Sequence, residues 1–415
     1  MQRFFGLPAS GELTEETLAV MRKPRCGLSD AEPFGETLRW KQSTLSYKVS
    51  SYSPIIPASQ VKKVFKEAWK LWADVTPIHF RKRSRREADI VISFYSGDHE
   101  DHSPFDGKGG ILAHAFLPGF GIGGDVHFDA DEDWSFNATG YNLFSVAVHE
   151  FGHALGLPHS PDPGAVMYPA YNFVPKSDLQ LSLRDVKDVQ HMYGINPNFF
   201  SLSLKRPPPR TPDKCDPDLS FDAVTELQQE VLFFKDRFMW RKHPNFDKIG
   251  ITLINSLWPD SIPSKLDAAY QNVEMNLMVF FKGDQYWVIR QLRLEDGFPK
   301  NISSLGFPPR VKSVDAALHI RNDRHTVFFT GHECWRYNEV NNTMESPTAV
   351  AQQWPGVPTP LDAAVSYEGF VYFFKGNVQY KYDPEAKHVV STRPANDLLE
   401  CEIEANNDTL TEGRR

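Results

Sequence analysis

The densest chemistry in the chain is the run His149-Glu150-Phe151-Gly152-His153-Ala154-Leu155-Gly156-Leu157-Pro158-His159, with the pattern H-E-x-x-H-x-x-G-x-x-H. Residues four apart share one face of a helix, so His149 and His153 can grip a single metal ion. Gly156 stops the helix and can take a positive φ, which turns the chain back and brings in His159 as a third ligand. Three neutral imidazoles suit zinc and leave a fourth position for water, whose pKa the metal brings towards about 7. Glu150 is placed to take that water's proton as general base and pass it to a leaving amine. Five fixed positions coincide by chance on the order of once in ten thousand chains of this length, which sets aside scattered histidines on an ordinary helix. Val166-Met167-Tyr168-Pro169 follows and offers a methionine turn to floor the site.

These groups need a scaffold, and the surrounding sequence supplies one. Leu143–Leu155 reads as the helix carrying the first two histidines. Gln60–Trp72 has an apolar stripe at Val61, Val64, Phe65, Ala68 and Leu71, and Ser182–Tyr193 has another at Leu183, Val186, Val189 and Met192. Thr44–Ser50 and Asp89–Phe94 are strand-like, the latter rich in β-branched residues. Thr14–Met21 reads as the end of a helix, followed by breaks at Pro24, Gly27 and Pro33. A mixed α/β or α+β domain over residues 37–194 follows from this pattern.

Residues 195–214 contain Pro207-Pro208-Pro209 and Pro212 and are expected to act as a semi-rigid linker. Beyond them the chain repeats. Phe221-Asp222-Ala223-Val224, Leu266-Asp267-Ala268-Ala269, Val314-Asp315-Ala316-Ala317 and Leu361-Asp362-Ala363-Ala364 are each followed by a Phe-Phe pair, at 233, 280, 328 and 373. Trp240, Trp287, Trp335 and Tyr380 close the units. Such a period in strand-like pieces points to a four-bladed β-propeller over 215–401, with a Cys215–Cys401 disulfide tying the last blade to the first.

With 415 residues, 41% hydrophobic and 24% charged, the chain is neither disordered nor collagenous. A net charge of −8 gives no support to nucleic-acid binding. No apolar run nears the roughly 20 residues of a membrane span, and the polar 402–415 tail carries no membrane anchor. Met1–Gly6 lacks a signal peptide's apolar region, so either the protein is cytoplasmic or the sequence starts downstream of a leader.

The zinc motif, methionine turn and repeats together resemble the matrix metalloproteinases, a metzincin family, over nearly the whole chain. Pro24-Arg25-Cys26-Gly27-Leu28-Ser29-Asp30 is similar to that family's cysteine switch, which makes 1–36 the end of a propeptide. The resemblance implies that Cys26 takes the fourth zinc position and holds the enzyme latent, with an Arg25–Asp30 ion pair pinning the loop. It implies an α+β catalytic domain with a twisted mixed sheet and three helices over 37–194, a second, structural zinc on His99, Asp101, His114 and His127, and a hemopexin-like propeller. It also implies calcium at Asp106, Gly107, Gly109, Ile111, Asp129 and Glu132, and again at Asp89, Gly121, Gly123 and Asp125. Carboxylates of the family's third calcium site are replaced by Ile55 and Ala130, so that site is not expected. Ser145, Met167, Pro169 and Tyr171 match the pocket for the residue following the scissile bond, and the small Ser145 implies a deep one. Tyr141, Asp162 and Gly164 match positions that mark collagenases.

The implied protein is a secreted, monomeric zinc endopeptidase that cuts extracellular-matrix proteins, collagen foremost, and meets tissue inhibitors of metalloproteinases. A second reading makes it a matrix-binding or adhesion protein acting through its propeller, with a vestigial protease domain. Four sequons at Asn137, Asn301, Asn341 and Asn407 agree with secretion. Gly119–Gly124 fits G-x-G-x-x-G but precedes a strand-like run, so a dinucleotide site is not expected. Arg81–Arg86 contains R-x-R-R, read as a solvated basic loop that could bind heparin. Cys334 is left as either a buried inert thiol or an intermolecular disulfide partner.

Overall fold

The computed structural model describes the chain apart from residues 1, 3, 6, 8, 9, 31–37, 85, 86, 138, 200, 202–206, 245–248, 321–323 and 402–415. Outside the described residues lie the polar tail with Asn407, the last two arginines of the basic loop, the end of the lead and part of the Pro-rich linker. Contacts divide the chain into two units, Met1–Thr211 and Pro212–Arg415.

Among the described residues, six strands form the first unit's larger sheet: β1 (Arg25–Cys26), β2 (Thr44–Val49), β3 (His79–Lys82), β4 (Ile90–Tyr95), β5 (Ile111–Ala115) and β6 (Val126–Asp129). Their order is β1-β5-β6-β4-β2-β3, with only β5 and β6 antiparallel. The sheet is therefore mixed, as expected. Around it lie α1 (Glu15–Met21), α2 (Ala58–Val75), α3 (Leu143–Ala154) and α4 (Leu183–Tyr193). The α2 stripe extends past the expected Trp72 and buries Val61, Val64, Phe65, Ala68, Trp69, Trp72 and Val75. Trp69 stacks on Phe151 of α3 at 3.9 Å between ring centroids, which locks that helix to the core. Every residue of α3 is buried, so its His149, Glu150 and His153 lie inside the unit rather than on a solvated face.

Strand β1 is not foreshadowed by any run of residues. The lead enters the sheet as an edge strand parallel to β5, pairing Arg25 with Ile111 and Cys26 with Ala113. On its other side Cys26 N–H donates to Pro169 O at 3.0 Å and Tyr171 N–H to Pro24 O at 2.8 Å. The segment is thus held as an added strand between two walls, the arrangement by which a cleft grips an extended peptide. Phe5 and Val20 of the lead pack on Tyr168, fixing it from outside.

The second unit contains four antiparallel sheets of four, five, five and four strands, one per repeat. Each Phe-Phe pair lies on the second strand of its sheet, as in Phe233 opposite Val224 and Trp240. Alternation turns the two rings to opposite faces, so they enter different inter-blade cores: Phe233 packs with Phe374 and Phe234 with Phe280. Cys215 and Cys401 are disulfide-bonded. Cys334 is buried against the Thr348 carbonyl and hydroxyl, and burial raises its pKa, which favours the inert-thiol alternative. No helix among the described residues is long and apolar enough to cross a membrane.

Candidate metal centre and active site

Helix α3 starts at Asn142, whose side chain accepts from Phe144 N–H and Ser145 N–H. Two turns on, His149 and His153 project together, their Nε2 atoms 3.0 Å apart. Leu155 caps the helix and Gly156 turns the chain at φ +102°, where an added Cβ would meet Leu38 O at 2.2 Å. His159 then comes back towards the pair. Ligand atoms of Cys26, His149, His153 and His159, all buried, lie within 4.8 Å of one another.

Each imidazole is oriented from behind. His149 Nδ1 lies 2.7 Å from Val166 O and His153 Nδ1 2.7 Å from Leu157 O, which leaves their Nε2 atoms facing the shared point. His159 Nδ1 lies 2.9 Å from Asp30 Oδ1, and Arg25 Nη2 lies 2.6 Å from the same oxygen. The expected Arg25–Asp30 pair is present. Its extension to a zinc-site histidine was not visible in the sequence.

Burial depresses the imidazole pKa values: His149 to about 3, with His159 adding to the shift, and His153 well below its usual range. Burial pushes the Cys26 thiol well up, reinforced by the Glu150 charge. Burial also raises Glu150 to about 8, against the opposing pull of the nearby Cys26 thiol. Both Glu150 oxygens are buried without a well-formed hydrogen bond. Neutral imidazoles, a thiol and an unsatisfied carboxyl around one point form a donor set that only a cation completes, and N₃S tetrahedral ligation is a zinc set.

Met167, the expected floor of the site, has support that the sequence did not reveal. Met167 is buried and packs so closely on Gly152 that an added Cβ there would meet its Sδ at 2.3 Å. Asp185, in the capping box of α4, accepts from Val166 N–H at 2.8 Å and Met167 N–H at 3.2 Å. One buried carboxylate thereby ties a helix start to the methionine turn.

A second convergence joins His99, Asp101, His114 and His127. Asp101 Oδ2 lies 2.7 Å from His99 Nε2 and 2.8 Å from both His114 Nε2 and His127 Nδ1. Burial lowers His114, and lowers His127 to about 4. Burial alone would raise Asp101, but bonds from Ser103 N–H, His114 and His127 outweigh it and hold its pKa at about 2. Glu100 and His102 take φ of 65° and 66°, a strained loop conformation that aims His99 and Asp101 inward.

The calcium candidates separate into two cases. Burial raises Asp129 and, helped by Asp129, Asp106 and Asp133, raises Glu132 to about 7. Asp129 Oδ2 is buried without a partner, so this loop has negative charge to spare for a cation. Asp106 Oδ1 accepts from Ile111 N–H and Glu132 Oε1 from Gly109 N–H, while Gly107 and Gly109 adopt positive φ. In the other set, Asp89 Oδ2 is taken by Ser46 N–H at 2.7 Å and Ser46 Oγ at 2.6 Å. Asp125 accepts from Val91 N–H, and burial raises it to about 6. Gly121 has a positive φ, and Gly123 packs against Gly119.

Among the residues expected to line the substrate pocket, Ser145 Oγ is buried without a partner, and Tyr171 Oη accepts from Asn142 N–H. Tyr141 packs edge-on to Tyr171 at 5.3 Å. Asp162 accepts from Gly164 N–H and from Thr211 Oγ1, bracing the loop before the methionine turn.

The Matrixin family model matches residues 39–194 and the Hemopexin model matches 221–263, 266–309, 314–359 and 361–401. Interstitial collagenase of Bos taurus is 44% identical over 408 residues, covering 97% of this chain and 85% of that protein. Neutrophil collagenase of Homo sapiens is 43% identical over 406 residues, with the same coverage. Matrix metalloproteinase-18 of Xenopus laevis is 42% identical over 406 residues, covering 97% and 86%. The chain belongs to the matrix metalloproteinases.

As a matrix metalloproteinase it is a zinc-dependent endopeptidase that degrades extracellular matrix, and the adhesion-protein reading is not favoured. In matrix metalloproteinase terms, the lead lying along β5 is the zymogen arrangement.

Proposed function

We propose that this chain is a secreted collagenase zymogen in which Cys26 closes the fourth position of a catalytic zinc on His149, His153 and His159. The observation that carries this reading is the convergence of those four buried ligand atoms, with the unsatisfied carboxyl of Glu150 beside them. Bound there, zinc would supply Lewis acidity to the scissile carbonyl and the attacking water. Glu150 takes the water's proton and returns it to the leaving amine. Met167 floors the site, while Ser145, Pro169 and Tyr171 line the pocket.

The proposed division is a propeptide end over 1–36, a catalytic domain over 37–194, a linker over 195–214, a propeller over 215–401 and a tail over 402–415. His99, Asp101, His114 and His127 hold a structural zinc. Calcium occupies the Asp106–Glu132 loop, supported by its uncompensated carboxylates, and Asp89, Gly121, Gly123 and Asp125 form the second calcium set. Fibrillar collagen as substrate is supported by the collagenase names of the relatives and by Tyr141, Asp162 and Gly164. Tissue inhibitors of metalloproteinases and a monomeric state belong to the same proposal.

The test incubates the activated enzyme with native fibrillar collagen. One unique cut across all three strands is expected. Degradation of denatured collagen alone contradicts the collagenase assignment.

A further inference from the structure

The fourth blade carries a polar cleft that the peptidase chemistry does not use. It has a volume of about 150 Å³ and is lined by Tyr372, Gln379, Lys381, Ser391, Arg393 and Asp397. Strand pairing builds it row by row: Tyr372 opposite Lys381, Lys381 opposite Ser391, and Gln379 opposite Arg393. The turn at Asp397–Leu399 closes one end, just before the disulfide at Cys401.

Two features make the cleft a built site. Gln379 is 2% exposed and its Oε1 has no hydrogen-bond partner, while its Nε2 donates to Asp397 Oδ2 at 3.2 Å. The opposite amide orientation would set Oε1 against that carboxylate, so the free acceptor is fixed by chemistry. A ligand O–H or N–H reaching into the cleft can satisfy that acceptor. The second feature is charge. Lys381 and Arg393 face one carboxylate, Asp397, whose Oδ1 already lies 3.5 Å from Arg393 Nη1. Lys381 Nζ rests 3.7 Å from the Phe370 ring centroid rather than on an anion.

We propose that this cleft binds a hexuronate: a compact sugar ring whose carboxylate meets Lys381 and Arg393 and whose hydroxyls meet Gln379 Oε1 and Ser391 Oγ. Tyr372 provides an aromatic wall. A bare anion leaves Gln379 Oε1 unsatisfied, and a neutral sugar leaves the surplus positive charge unmet.

Calorimetric titration of the full chain tests this, with sodium glucuronate, glucose and sodium acetate as probes. Saturable one-to-one binding of glucuronate is expected, with glucose and acetate each at least about tenfold weaker, as the loss of one charge-assisted or buried hydrogen bond implies. Arg393→Ala and Ser391→Ala sit on the outer strand, so each is expected to weaken glucuronate about tenfold while leaving Tm unchanged. Tighter binding of a uronate-containing tetrasaccharide assigns the ligand to a polysaccharide, equal binding to the free sugar acid, and both uphold the site. Absence of saturable glucuronate binding, acetate binding as tightly as glucuronate, or an unaltered affinity in Arg393→Ala overturns it.

Discussion

Asp30 Oδ1 stands 2.9 Å from Nδ1 of His159, an ion-pair contact that links the proposed propeptide to a proposed zinc ligand. The same oxygen holds Arg25. Latency therefore rests on more than the Cys26 sulfur: when the lead departs, His159 loses a partner as well. Asp30→Asn is expected to speed activation by a thiol reagent about tenfold, since a partly buried, hydrogen-bonded ion pair is worth roughly 1–2 kcal/mol. Following hydrolysis of a blocked fluorogenic peptide after reagent addition measures this. An unchanged lag would mean that the pair contributes nothing to latency.

Glu150→Gln keeps the shape of the site and removes the base. Turnover is expected to fall roughly a hundred- to ten-thousandfold at unchanged zinc content. Metal analysis of the same preparation checks that the loss is one of proton transfer.

Asp185 joins the capping box of α4 to the backbone of Val166 and Met167. Asp185→Ala orphans several buried N–H groups and is expected to cost about 3 kcal/mol in denaturant unfolding of the zinc-loaded protein. Faster zinc release to a chelator should accompany it, because Val166 O supports His149. Equal release rates would confine Asp185 to a folding role.

Acid is expected to destabilise the first unit. His127 is depressed to about 4 in the folded chain, so between its ordinary value of about 6.5 and about 4 the unfolded state binds the proton first. This contribution is fully present above about 6.5 and is lost as pH falls towards 4. Asp101, held at about 2, adds a loss below its ordinary value of 3.8. Competition of protons with metal for the same ligands acts in the same direction. Glu150, Glu132 and Asp125, whose pKa values burial raises, act in the opposite direction wherever no cation holds them, so the expectation is for the zinc- and calcium-loaded protein: its Tm should fall from pH 7.5 to 4.5, and a flat or rising Tm contradicts this.

The chain's spacing reveals much of this design, and its limits are physical. Helix periodicity and the fixed geometry of Gly156 make His149, His153 and His159 legible, because those contacts are local in sequence. The propeller is legible because its unit recurs four times. By contrast, Asp30 and His159 are 129 positions apart and meet only because β1 joins the sheet edge, which a two-residue strand does not advertise. Asp185 reads as an ordinary first-turn acid, and Ser46, which engages Asp89, as an ordinary strand residue. Such pairings are set by tertiary packing, which leaves no periodic trace.

The central claim is best tested by X-ray absorption at the zinc edge on the unprocessed chain. Two zinc ions, one N₃S and one N₃O, should average half a sulfur per zinc at about 2.3 Å among nitrogen and oxygen scatterers at roughly 2.0–2.1 Å. Thiol modification should remove that sulfur shell as peptide hydrolysis begins. Zinc present without any sulfur shell before activation, or a sulfur shell that persists in fully active enzyme, would contradict the account.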